Sequence, residues 1–251
     1  MVHPDAGLAE EAAPAPNEGV VSQEATIKEL ARQLAGQHSV GPSSEGKPWL
    51  VEHLSEQSEL FRAAYDHFSE ATQGEVVLSH AAEWLLDNFY LVQRASRQVR
   101  EDLPERYYRQ LPVLDYGSLQ GYPRIYAVAT QFIQALDFRL DIGWLRRFIV
   151  VYQRVSPLTM GELWALPAML RLALLDSLAL ALTRLSALGD SGIAPYQPLF
   201  PQPQMDAAEI VVRCIPALRT IATHDWEDFF ETVSQVEQIL RDDPAGVYPD
   251  M

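Results

Sequence analysis

A single cysteine, Cys214, stands in a chain of 251 residues, so no internal disulfide can form and no thiolate zinc site can be assembled. It lies in the apolar stretch 210–215, where a small buried hydrophobe is its expected role, in keeping with a reducing compartment. Basic residues are also scarce: 19 Lys and Arg stand against 34 Asp and Glu, a formal net charge of −15. Such a surface repels phosphate backbones. The sequence has no Lys/Arg run interleaved with aromatics to overcome that repulsion, which argues against nucleic acid and against direct adhesion to anionic headgroups. An acid excess ordinarily serves solubility. Glycine is modest at 13 residues, and no Gly-rich loop follows a strand pattern, which excludes P-loop and Rossmann nucleotide sites. Apolar/polar alternation is almost absent, leaving helix as the default.

What is present is enough apolar material, 48% of residues, for one sizeable core. The first residues are acidic and rich in Ala and Pro, without the basic and apolar regions of a secretory leader, so none is expected. Residues 1–48 read as a disordered acidic Ala/Pro-rich arm, interrupted by a short helical pattern at Ile27, Leu30, Ala31 and Leu34 that is marginal unless it docks. Residues 49–251 read as a multi-helix, all-α bundle. Leu60, Phe61, Ala64, Tyr65 and Phe68 make one amphipathic stripe, and a longer helix is predicted over 77–100. Further helices are expected from Pro123, from Asp141 (with Leu145, Phe148, Ile149, Tyr152 and Val155 inward), over 205–223 and over 226–241. In the last, Phe229, Val233, Val236 and Leu240 form the inner stripe. Residues 189–204 read as a Pro/Gly-rich loop.

The most apolar segment, 163–188, is opened either by Ser156 before Pro157 or by a Thr159/Glu162 capping box. It carries three charges, Arg171, Asp176 and Arg184, that would cost several kcal/mol in a lipid-spanning helix, and it also contains Pro167. A buried central helix is expected instead.

Three constellations suggest chemistry, and each has a plainer explanation. His80, Glu83 and Asp87 share a helix face and could begin a metal site, but no second His-bearing helix completes it; acids near a helix start explain them. His224-Asp225 resembles part of a dyad without a nucleophile, and Asp225 is placed to cap the next helix. Glu162 near Trp164 could be an acid desolvated against an aromatic, as glycosidases use, but glycoside chemistry needs a second carboxylate across a cleft. No catalytic, cofactor or metal residue is therefore assigned. The most unusual cluster is Arg106, Tyr107, Tyr108, Arg109, Tyr122, Arg124 and Tyr126, residue types suited to interfaces and sugar stacking. Tyrosines packed over helix ends and arginines paired with acids account for it somewhat better.

Several ordered stretches are familiar: His80–Leu91 (HAAEWLLDNFYL), Asp102–Pro112 (DLPERYYRQLP), Gly121–Ala127 (GYPRIYA), Pro157–Pro167 (PLTMGELWALP), Leu170–Leu172, and the blocks starting at Asp225 and Asp243. Together they resemble the N-terminal part of the cyclic β-1,2-glucan synthases, over roughly residues 77–188 and 208–249. These are very large bacterial inner-membrane enzymes that polymerise and cyclise glucose from UDP-glucose. The resemblance implies that the glycosyltransferase motifs and the phosphorylase-like region lie elsewhere in such enzymes, so no catalytic residue is carried over. It implies a cytoplasmic helical module at the inner face of the membrane, held there by the catalytic portion of a synthase, in the same chain or a separate one. The Tyr/Arg cluster is then the expected contact surface. A stand-alone β-1,2-glucan-binding or carbohydrate-processing module, and the remnant of a truncated gene, are the alternatives.

Overall fold

The computed structural model describes residues 16–41, 50–73, 79–185 and 196–234. Helices dominate them: α1 Pro16–Gln37, α2 His53–Gln73, α3 His80–Asp102, α4 Glu105–Tyr108, α5 Arg124–Ala135, α6 Ile142–Gln153, α7 Met160–Arg184, α8 Ala207–Thr223 and α9 Trp226–Val233. The one ladder among the described residues pairs β1 (Val40–Gly41) antiparallel with β2 (Val113–Leu114). The all-α expectation holds.

The helix ends follow local chemistry. Ser79 caps α3 by accepting from the Ala82 N–H, Asp141 caps α6 through Trp144, and Asp225 caps α9 through Glu227. Of the two starts offered for α7, Thr159 and Glu162 form the capping box. Ser156 instead accepts a hydrogen bond from Arg124. Leu103-Pro104 ends α3, because the residue before proline is driven out of the helical region.

α7 is the central element. It packs against α2, α3, α5 and α8, and its residues from Leu163 to Leu182 are buried except Trp164. It is long and apolar enough to cross a membrane, but its apolar window is wholly buried inside this fold. Two of its charges find partners within the fold. Arg171 donates to Asp102 Oδ2 at 3.2 Å, and Asp176 accepts from the Tyr196 hydroxyl. Cys214 lies on the face of α8 turned to this core, fully buried, and burial drives its thiol well above the ordinary range. It should therefore resist thiol reagents in the native protein and react only at the rate of unfolding. Rapid labelling without denaturant would contradict that packing.

The arm boundary drawn at residue 48 is corrected for the part described. α1 docks along α6 and buries Ile27, Ala31, Leu34 and Ala35, which rescues a helix that would be marginal alone. Residues 1–15 and 42–49 lie outside the described residues, as do most of the 189–204 loop before Tyr196 and the Val236 and Leu240 positions of the last stripe. Val155, expected inward, falls beyond the end of α6 and is 52% exposed.

Candidate functional site

The Tyr/Arg cluster separates into an inner and an outer set. Arg106 and Arg109 are exposed, with Arg109 paired to Glu105 one turn back on α4. Tyr107 and Tyr122 are half-buried, while Tyr108, Arg124 and Tyr126 are buried. The sequence brings these residues close along the chain, but helix geometry sends Arg124 and Tyr126 into the bundle, so the seven do not form one surface.

Arg124 shows why. Its Nε donates to Glu162 Oε1 at 2.8 Å and its Nη2 to Oε2 at 2.6 Å, a two-pronged ion pair with both side chains almost wholly buried. Nη1 donates to Ser156 Oγ at 2.8 Å and Nη2 also to the Pro157 carbonyl at 2.9 Å. Glu162 Oε2 further accepts from the Thr159 amide and hydroxyl. Every strong donor and acceptor of the pair is used, the condition for a buried ion pair to persist. The pair ties the start of α5 to the start of α7. The Tyr107 hydroxyl adds α4 by donating to the Gly161 carbonyl, and burial with the Glu162 charge pushes that phenol up to about 12. Glu162 is thus not an acid set against Trp164. The helix turns Trp164 outward, 59% exposed.

His38, at the end of α1, lies on the same network, with Nδ1 2.8 Å from the Tyr152 hydroxyl. Burial, aided by the Arg124 charge, lowers its pKa to about 4. The unfolded chain therefore takes up this proton first. The stability tied to neutral His38 is complete above about pH 6.5 and is lost as pH falls toward 4. His38→Gln should flatten the stability profile across that window, read from urea midpoints at several pH values; an unchanged profile would contradict the assignment.

A second buried carboxylate sits in the central helix, where the sequence placed a charge but not its partners. Asp176, on α7, accepts from the Tyr196 hydroxyl, which in turn accepts from Gln57 Nε2 at 2.6 Å. Burial raises Asp176 to about 6, opposed by the bonds from Tyr196 and the Leu199 backbone. Tyr196 also lines a surface groove of about 910 Å³ with His53, Glu56, Glu59, Tyr122 and Pro198. Tyr122 is thus the one member of the Tyr/Arg cluster on this groove. Two phenol rings, an imidazole and two carboxylates supply stacking faces and acceptors.

The other constellations stay apart. His80, Glu83 and Asp87 are all exposed, with His80 beside the Trp84 ring, and no three His, Cys, Asp or Glu among the described residues are grouped to hold a metal. His224 packs edge-on against Trp226 while Asp225 caps α9.

Fold and site together define a helical framework with a central apolar helix, a fully paired buried ion pair and a broad groove of mixed polar and apolar lining. No protein-family model matches the chain. Over 126 residues, half of this chain, it is 33% identical to the cyclic β-(1,2)-glucan synthase NdvB of Rhizobium meliloti (strain 1021). The match takes in 4% of that protein, so the chain corresponds to a small part of its relative. The chain is thus related to a glucan synthase across half its length.

Proposed function

We propose that this chain is a non-catalytic helical module that supports and positions a membrane glucan synthase from the cytosolic side. One observation carries the reading. The stretches that resemble the synthases are joined to one another by the polar contacts Arg171–Asp102, Arg124–Glu162 and Tyr107–Gly161. Their shared residues build a rigid frame, and what they leave outside is a contact surface: Arg106, Arg109, the edge of Tyr107 and, one helical turn from Gly161, the exposed Trp164. Apart from Trp164, these residues belong to the outer part of the Tyr/Arg cluster.

The test is co-purification with a solubilised synthase. Trp164→Ala with Arg106→Glu should reduce recovery of the synthase by at least about tenfold while leaving helical circular dichroism and Tm unchanged, because truncating an interface anchor typically costs 2 kcal/mol or more. Equal recovery by the variant would remove this surface from the proposal. A second reading is favoured by the groove beside Tyr122 and Tyr196, whose lining suits a neutral oligosaccharide. Titration with linear and cyclic β-1,2-glucans would show saturable heat that Tyr122→Ala abolishes. Silence leaves assembly as the role.

A further inference from the structure

Folding assembles a basic groove that no stretch of the sequence reveals. Arg146, Arg147, Val150, Val151 and Arg154 recur along one side of α6, at the spacing that stacks side chains on successive turns. Lys28 of α1 and Thr232 of α9 close the two flanks of this cavity of about 300 Å³. Glu24 is the one carboxylate among the described residues lining it, set against four cations, in a chain of net charge −15. Glu24 pairs with Lys28 at 2.6 Å. Arg146, Arg147 and Arg154 form no ion pair among the described residues, although other arginines of the protein find carboxylates. The Arg146 Nε is buried without a hydrogen-bond partner, and the Arg147 guanidinium lies 4.9 Å from the centre of the Trp144 ring. Glu24, already paired to Lys28, is also within electrostatic reach of Arg147, but guanidinium groups held this close together repel one another unless a further anion joins them.

We propose that this groove binds a phosphate group, and that its source is the headgroup of an anionic phospholipid at a membrane surface. Arginine is the side chain suited to phosphate oxygens, offering forked N–H donors. The surroundings favour a lipid over a small soluble phosphate. The groove is floored by Val150 and Val151, it is bordered by Trp144 under Arg147, and Val155 stands 52% exposed just past Arg154. Cations around apolar and indole surface are the composition of an interfacial contact. The proposal departs from the expectation, drawn from net charge, that anionic headgroups are not bound directly. The inference rests on groove chemistry and does not require the glucan-synthase reading.

The test uses the full chain with vesicles of phosphatidylglycerol and phosphatidylcholine, with vesicles of phosphatidylcholine alone, and with inorganic diphosphate. Sedimentation should show uptake on the anionic vesicles only, weakened by salt. Arg146→Gln, Arg147→Gln and Arg154→Gln together should lower that uptake roughly a hundredfold, about fivefold for each cation lost near an anionic surface. A matched variant, Arg97→Gln, Arg139→Gln and Arg184→Gln, removes the same charge from exposed sites elsewhere and should bind like the parent. Circular dichroism and Tm show that both variants fold. Diphosphate binding without vesicle uptake would overturn the lipid source. No uptake on anionic vesicles, or equal losses in the two variants, would overturn the site. Neither result bears on co-purification with a synthase, which is measured in detergent and reads a different surface.

Discussion

Replacing Glu162 with alanine lowers the stability of the protein by about 3–5 kcal/mol, the usual consequence of leaving one member of a buried ion pair without its partner. Arg124 would keep its positive charge in a site where it is 3% exposed, with the neutral groups of Ser156, Pro157 and Tyr152 left to receive it. The substitution also removes the side chain that returns to the Thr159 amide, so α7 loses half of its capping box. For a chain of this size the loss should appear as a Tm lower by roughly 6–20 °C. Glu162→Gln keeps an acceptor and should fall between the parent and Glu162→Ala. Replacing both partners with apolar residues, Arg124→Met and Glu162→Leu, should recover much of the loss, because no uncompensated charge remains. Glu105→Ala, which removes the exposed partner of Arg109, should cost at most about 1 kcal/mol. If Glu162→Ala and Glu105→Ala proved equally mild, the frame would not depend on the Arg124 pair.

Asp176→Asn should stabilise the protein at neutral pH, the opposite of what removing a buried charge from a satisfied pair does. Asp176 is 1% exposed, its Oδ1 receives the Tyr196 hydroxyl, and apart from the Leu199 backbone no further group among the described residues offsets its burial. Burial lifts its pKa from 3.8 to about 6. The folded protein therefore holds this proton more tightly than the unfolded chain. Its contribution is most favourable below about pH 4, falls as pH rises through 4 to 6, and stays unfavourable above that. Two pKa units correspond to about 3 kcal/mol. Asparagine keeps an acceptor for Tyr196 and carries no charge, so the gain should be about 2–3 kcal/mol near pH 8 and should vanish near pH 4. Denaturant midpoints of parent and variant at the two pH values measure it. Lower stability of the variant at pH 8 would mean that the ionised carboxylate is compensated in some other way. The Asp176 dependence runs opposite to that of His38, so the variants separate two effects that overlap in the parent protein.

The helical bundle was legible in the sequence because its signals are local. Apolar spacing marks the buried stripe of α2 and α3, and capping residues mark the starts of α6, α7 and α9. The docking of α1 was not legible. Its four apolar positions at 27, 30, 31 and 34 are compatible with a fraying helix, and only the facing surface of α6 decides. The Tyr/Arg cluster was recognised by residue type, but its division into inner and outer members depends on partners far along the chain. Nothing near Arg124 announces Glu162, and the Thr159/Glu162 spacing suggests a cap, which is only part of what Glu162 does. The Asp176–Tyr196–Gln57 network and the Lys28–Arg154 groove are likewise products of tertiary placement. Net charge averages over faces that folding keeps separate, so the groove on α6 could not be read from it.

The central claim concerns association with a glucan synthase, and one measurement addresses it directly. Antibody to this chain precipitates it from detergent-solubilised membranes of the native cells, and the precipitate is assayed for incorporation of glucose from UDP-glucose into β-1,2-glucan. The account predicts synthase activity in the precipitate, at the expense of the supernatant. Complete recovery of the chain with all of the activity left in the supernatant would contradict it.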